Sequence, residues 1–124
     1  MNKSQYVSTV ENHFSSKEPI VREIYNRVLK AIRGIGSVIE EPKKTSIHLV
    51  NSSALAGVAT RKDSLILTLK SGRKLTGPRI HKSEQVSAGR FHHEVKLRSP
   101  ADVDNELVGW LREAYELSSN RRSG

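Results

Sequence analysis

Across residues 38–98 the sequence never sustains a helical period; apolar residues recur in short alternating runs separated by turn-forming clusters. The runs are 38–41, stopped by Pro42, then 45–50, 55–60, 65–70 and 91–98. Connections this short leave no room for crossover helices, so the strands must pair as an antiparallel sheet. In the fourth run Leu65, Leu67 and Leu69 share one face, with Ile66 and Thr68 on the other. The last run places Phe91, His93, Val95 and Leu97 opposite His92, Glu94, Lys96 and Arg98. Asn51-Ser52-Ser53 and Lys62-Asp63 supply turns, and the polar stretch 71–85 reads as an irregular excursion.

Helical patterns flank this middle. Ser8 and Glu11 have capping-box spacing, with Val10 and Phe14 one turn apart, so a short first helix is expected. Pro19 suits the first turn of a second helix, in which Val21, Ile24, Tyr25, Val28, Leu29 and Ile32 form one face. Gly34 and Gly36 end it, with glycine expected in the left-handed cap conformation. In the last helix Ser99 is the expected N-cap and Pro100 the first residue. Val103, Leu107, Trp110, Leu111, Ala114 and Leu117 make its apolar face, and Asp102, Asp104 and Glu106 crowd its positive end. The fold class expected is α+β in two layers. It is a mainly antiparallel sheet with two N-terminal helices and one C-terminal amphipathic helix packed on one face. Residues 1–7 are expected to be flexible, 8–118 to form one domain and 119–124 a disordered tail.

The chain of 124 residues has no cysteine, which excludes disulfides, thiolate metal sites and cysteine nucleophiles. It contains neither an apolar run long enough for a membrane helix nor a secretory signal, so a cytoplasmic protein without membrane insertion is expected. Formal net charge is +8. Residues 61–100 carry ten basic and three acidic side chains, a net +7, against +3 for 1–60 and −2 for 101–124. Arg61, Lys62, Lys70, Arg73, Lys74, Arg79, Lys82, Arg90, Lys96 and Arg98 therefore define a candidate nucleic-acid surface, which competes with an ordinary solvated face. Phe91 is the one aromatic among them and points inward, unlike the exposed rings of single-strand binders.

Other chemistry is sparser. His92 and Glu94 share a strand face that His48 or His81 would have to join to hold a metal, whereas His93 reads as a hydrogen-bonded core histidine; no metal or cofactor is expected. Asp63 with Glu94 and Lys96 has the residue types of a metal-dependent nuclease: two carboxylates for Mg²⁺ and a lysine for the attacking water. Alternating charges on a wet strand explain Glu94 and Lys96 equally. Lys43-Lys44-Thr45 would suit a carboxylate or phosphate, or would protect an edge strand.

Several segments together carry a resemblance. They are His13-Phe14, Lys17 and Pro19; Lys43-Lys44-Thr45 with Ile47; Ala56-Gly57-Val58; His93-Glu94-Val95-Lys96-Leu97; and Asp102-Val103-Asp104 with Leu107, Leu111 and Ala114-Tyr115. Over residues 8–118 the chain resembles a small bacterial domain family of unknown function, sometimes labelled "predicted transport protein" and found alone or behind another domain. The resemblance implies a compact α+β domain and a bacterial cytoplasmic setting, with no established activity; Glu94 is not part of the family's pattern. The pattern's polar members, His13, Lys44, Thr45, His93 and Tyr115, form a candidate anion-binding set where the first helix, a sheet end and the last helix would meet. The alternative for His13, His93 and Tyr115 is structural hydrogen bonding. The expected function is a non-enzymatic binding module for a small anionic ligand or partner protein. Nucleic-acid binding through 61–98 is the alternative, and a metal-dependent nuclease the remote one.

Overall fold

A computed structural model describes residues 8–119. Six strands form one sheet: β1 (Ile39–Pro42), β2 (Ile47–Val50), β3 (Ala54–Thr60), β4 (Leu65–Ser71), β5 (Ile80–Ser87) and β6 (Arg90–Leu97). Their order is β1-β2-β3-β4-β6-β5, and every neighbouring pair is antiparallel. Helices α1 (Pro19–Ile35) and α2 (Asn105–Ser119) pack on one face. The fold is α+β, as expected from the sequence.

Side-chain alternation sets the two faces. Leu65, Leu67 and Leu69 on β4 pair with Leu97, Val95 and His93 on β6, and these join Ile47, Leu49, Ala56 and Val58 beneath the helices. From α1 come Val21, Ile24, Tyr25, Val28, Leu29 and Ile32, the six residues of its apolar stripe, all buried. Val103 and, from α2, Leu107, Trp110, Leu111 and Ala114 complete the core, while Leu117 is half-buried and Ser118 is buried instead. Among the described residues the opposite sheet face carries no helix.

Four local expectations are corrected. There is one N-terminal α-helix rather than two: residues 8–14 form only a 3-10 turn at Glu11–Phe14. Thr9 and Asn12, not Ser8 and Glu11, exchange side-chain bonds to each other's backbone N–H. Extended Ser15 and left-handed Ser16 (φ 66°) then stop the turn at i→i−3 bonds, such as His13 N–H to Val10 O. Phe14 nonetheless docks on Tyr25, ring centroids 5.1 Å apart.

Gly34 lies inside α1, and Gly36 ends it in extended backbone (φ 178°), which any residue can adopt. What suits glycine to position 36 is crowding, since a Cβ there would collide with the Tyr115 ring and hydroxyl.

The C-terminal helix begins in two pieces. Pro100–Asp102 is a 3-10 turn whose Asp102 carboxylate accepts the N–H groups of Arg98 and Ser99. Asp104 then caps α2 by accepting the Leu107 N–H at 3.0 Å.

The expected irregular excursion 71–85 instead runs into strand β5, which forms the sheet edge beside β6 with irregular register at both ends. No β5 side chain is buried. Between β3 and β4 the expected turn forms, closed by Arg61 N–H donating to Ser64 O. The expectations for residues 1–7 and 120–124 lie outside the described residues.

Candidate functional site

The five residues of the candidate anion-binding set fall in three places. His13 Nε2–H donates to the Lys43 carbonyl at 2.8 Å, and Thr60 Oγ1 donates to the His13 carbonyl at 2.6 Å. His13 therefore clasps the β1–β2 turn to the end of β3; Lys44 and Thr45 are exposed on that same turn. Tyr115 belongs to the opposite end of the sheet, where its hydroxyl donates to Ser37 O at 2.9 Å. His93 is fully buried under the 72–75 loop, its Nδ1 2.8 Å from Ser83 Oγ and its Nε2 accepting the Leu75 N–H at 3.2 Å. Arg73 O also lies 3.1 Å from Nε2.

Asp63 sits in the β3–β4 turn, whereas Glu94 pairs with Thr68 and Lys96 with Ile66 on the uncovered face. With Leu65 opposite Leu97, Asp63 and Glu94 are separated by five positions along the strands, about 17 Å. Glu94 and Lys96 share a face without the second carboxylate. His48 and His92 also share that face but stand three strands apart, about 14 Å across the sheet. Among the described residues no group of three His, Asp or Glu is placed to hold a metal.

The ten basic residues divide as well. Arg73 forms a two-bond pair with Glu113 at 3.1 and 2.9 Å. Arg79 reaches Asp104 at 2.8 Å, Glu106 at 3.2 Å and Asp102 O at 2.6 Å, with its guanidinium 5.9 Å from the Trp110 ring centroid. These two arginines fasten the 72–79 loop to the acidic start and exposed side of α2. Lys70, Lys82 and Lys96 stand on the uncovered face, where Lys82 pairs in register with Glu94. Arg61 and Lys62 occupy the β3–β4 turn, Arg98 follows β6, Arg90 opens β6 at the other end, and Lys74 lies in the 72–79 loop.

What the uncovered face does possess is a hollow of about 390 Å³ centred on β3. Its floor is made by small residues at alternate positions: Gly57 and Ala59, with Ala54 at one end. A Cβ built at Gly57 meets only His48 Cδ2, at 4.0 Å, so neither backbone conformation nor packing inside the chain calls for glycine there. Ser46, just before β2, and His48 on it form one wall. Thr68 and Lys70 on β4, with His92 on β6, form the other. Removing two layers of side chains over one strand opens a trough about 10 Å wide, the spacing from β2 to β4.

A second hollow of about 340 Å³ continues past Lys70 and His92, which line both. Arg90, Phe91 and Val86 bound it from the β5–β6 hairpin, and Ser53, Leu117 and Ser118 from the other side. No Asp or Glu lines either hollow. Three carboxylates of this face stand next to the lining: Glu41, Glu84 and Glu94 are the register partners of His48, His92 and Thr68. Glu41 lies 3.7 Å from Lys43 Nζ, and Glu94 is also in register with Lys82. Among the described residues Lys70 and Arg90 form no ion pair.

Sequence reasoning placed Lys70 and Arg90 in a generic basic surface and weighed His48 and His92 only as metal ligands. The signal for the hollow was the run Ala54-Leu55-Ala56-Gly57-Val58-Ala59, which has only two large residues in six. Its meaning depends on which neighbours flank it, and that comes from register.

A family model described as "Domain of unknown function (DUF5655)" matches residues 10–118. No curated protein and no solved structure matches the chain.

Proposed function

The chain belongs to the DUF5655 family, whose description names no activity, and we propose that it is a non-enzymatic binding module for a small anionic ligand seated on the uncovered sheet face. One observation carries this reading: two adjoining hollows share Lys70 and His92, add Arg90 and His48, and are lined by no carboxylate. The lining itself brings only positive charge, with Glu41, Glu84 and Glu94 outside it on the flanking strand positions. The volume lies at the small end of ligand sites. The hollow offers a cation and hydrogen-bond donors, and neither Glu41 nor Glu84 bonds the imidazole it faces in register, which favours holding a ligand over transforming one.

The anion set His13, Lys44, Thr45, His93 and Tyr115 gives way here to His48, Lys70, Arg90 and His92, because only the latter share a concavity. Nucleic acid is a weaker reading, since Arg73 and Arg79 are neutralised by α2 and the remaining cations face several directions. Asp63, Glu94 and Lys96 support no nuclease at their separation. The bacterial, cytoplasmic setting implied by the resemblance belongs to this proposal. A carrier of small ligands would also suit that family's transport label. No helix among the described residues is long and apolar enough to cross a membrane.

Titration of the ¹⁵N-labelled chain with inorganic phosphate tests the proposal. Saturable shifts are expected at the amides of Lys70, Arg90 and His92, and Lys70→Gln should abolish them. Shifts that are absent, or that survive in Lys70→Gln, would overturn it.

A further inference from the structure

The two hollows differ in a way that specifies more than charge. The first has a floor without side chains at Gly57 and only methyl groups at Ala54 and Ala59, so its base is bare backbone and carbon. It is about two strand spacings wide and one side chain deep. A flat ring fills such a trough, whereas an aliphatic chain leaves its width empty and a tetrahedral anion finds no donor on the floor. Its cation, Lys70, stands at one end, and the second hollow adds Arg90 beyond. Apolar flatness and positive charge are therefore separated along the groove rather than mixed.

Distances along the sheet fix the length of the occupant. Thr68 is opposite Gly57, and Lys70 lies two residues further along β4, about 7 Å from the floor's centre. Lys70 and His92 are direct cross-strand partners. Arg90 lies two residues beyond His92, so the cations span about 7 Å of the groove past the ring seat.

We propose, resting on the anion-binding reading above, that the ligand is bipartite: a planar heteroaromatic ring laid on Gly57 and Ala59, joined through a short linker to a phosphate held by Lys70, His92 and Arg90. A nucleoside monophosphate has this chemistry. The ring lies against backbone at Gly57, with His48 at its edge, and buries one face at no cost in displaced side chains. The phosphate takes charge-assisted bonds from the ammonium and guanidinium groups. His92 contributes a donor between them. Thr68 and Ser46 offer hydroxyls to the ring's polar edge.

The test compares adenosine 5′-monophosphate with ribose 5-phosphate, by calorimetry on the full chain and on three variants. The unaltered chain should bind the nucleotide about tenfold more tightly or better, the added affinity coming from the buried ring face. Gly57→Val should bring the nucleotide down to the ribose 5-phosphate level and leave ribose 5-phosphate unchanged. The new side chain projects into the trough, where a Cβ is clear of the fold. Ala59→Leu fills the same trough from the next position and serves if the valine variant is unstable. Lys70→Gln should weaken both ligands. Equal affinities for the two ligands in the unaltered chain would overturn the ring seat and leave the anion site standing. Nucleotide binding that survives both filling substitutions would do the same. Failure of both ligands together with inorganic phosphate would remove the anion site itself.

Discussion

The Tyr25 hydroxyl, deep against the sheet, donates to Glu40 Oε2 at 2.6 Å, tying the middle of α1 to the four-residue edge strand β1. Arg33, about two helical turns further on, stands 3.8 Å from the other oxygen of the same carboxylate. Burial, and then the Glu40 carboxylate, pushes the phenol well above its ordinary value. A proton held more tightly in the folded state stabilises it below about pH 10 and ceases to do so as the pH rises beyond. Tyr25→Phe should cost about 1 kcal/mol at neutral pH. In urea titrations the gap between the two chains should narrow above about pH 10; a gap that stays constant would show that the hydroxyl is not the cause.

Gly36 and Tyr115 form a second tie between sequence-distant elements. Gly36→Ala meets no backbone strain, yet its methyl group must displace the tyrosine that bonds Ser37 O. A loss of about 1–3 kcal/mol is expected. Tyr115→Ala removes the obstacle, so the double variant should be less destabilised than the sum of the single changes. Additive losses would disprove the steric account.

His93 occupies a core position as a polar hub. Replacing it by Leu fills the space but strands the buried Leu75 N–H and releases the exposed Ser83 hydroxyl to water. The orphaned N–H costs about 1–3 kcal/mol. The damage should appear first as faster amide exchange at Leu75 and along β5, with α1 protection falling only in step with global stability. Uniform loss of protection would contradict this.

Asp104 holds a free N–H of the first turn of α2, that of Leu107, and the Arg79 guanidinium at once. The Leu107 N–H, then Arg79, draws its carboxyl below the usual range. Asp104→Ala should cost about 1 kcal/mol at neutral pH, as loss of a cap does. A depressed carboxyl contributes stability above its unfolded value, about pH 4, and loses it as the pH falls through the folded value. The variant and parent chains should therefore converge in acid, which thermal melts at stepped pH will show. A difference that persists below about pH 2 would rule out the carboxylate's charge as the source.

How far the sequence discloses this molecule varies with what holds each element. The stripe of α1 and the alternations of β4 and β6 were legible because the core pulls on each of their side chains. β5 was not: beyond half-buried Ile80 its side chains are all exposed, so no period of two is written in it, and pairing with β6 alone makes it a strand. At the start of α2 two caps, Ser99 with Asp102 and Asp104 with Leu107, overlap within nine residues of sequence, and the apolar face continues across the break. The candidate site was the least readable part. His48, Gly57, Lys70 and His92 come from four strands and are neighbours only through register. Tyr115 and His13, which looked like site residues by type, spend their polar atoms on backbone carbonyls.

Placing β6 rather than β5 beside β4 constrains how the chain can reach its final form. The hairpins from β1 to β4 can zip in order, each on a neighbour already present. The next partner of β4, however, is the far arm of a hairpin, so the whole 72–89 segment must be spooled out and closed as a loop before β6 can dock. Only then does α2, which follows β6 directly, find the surface it covers. The N-terminal two-thirds of the molecule should thus wait, partly assembled, for its C-terminal third to arrive as a unit.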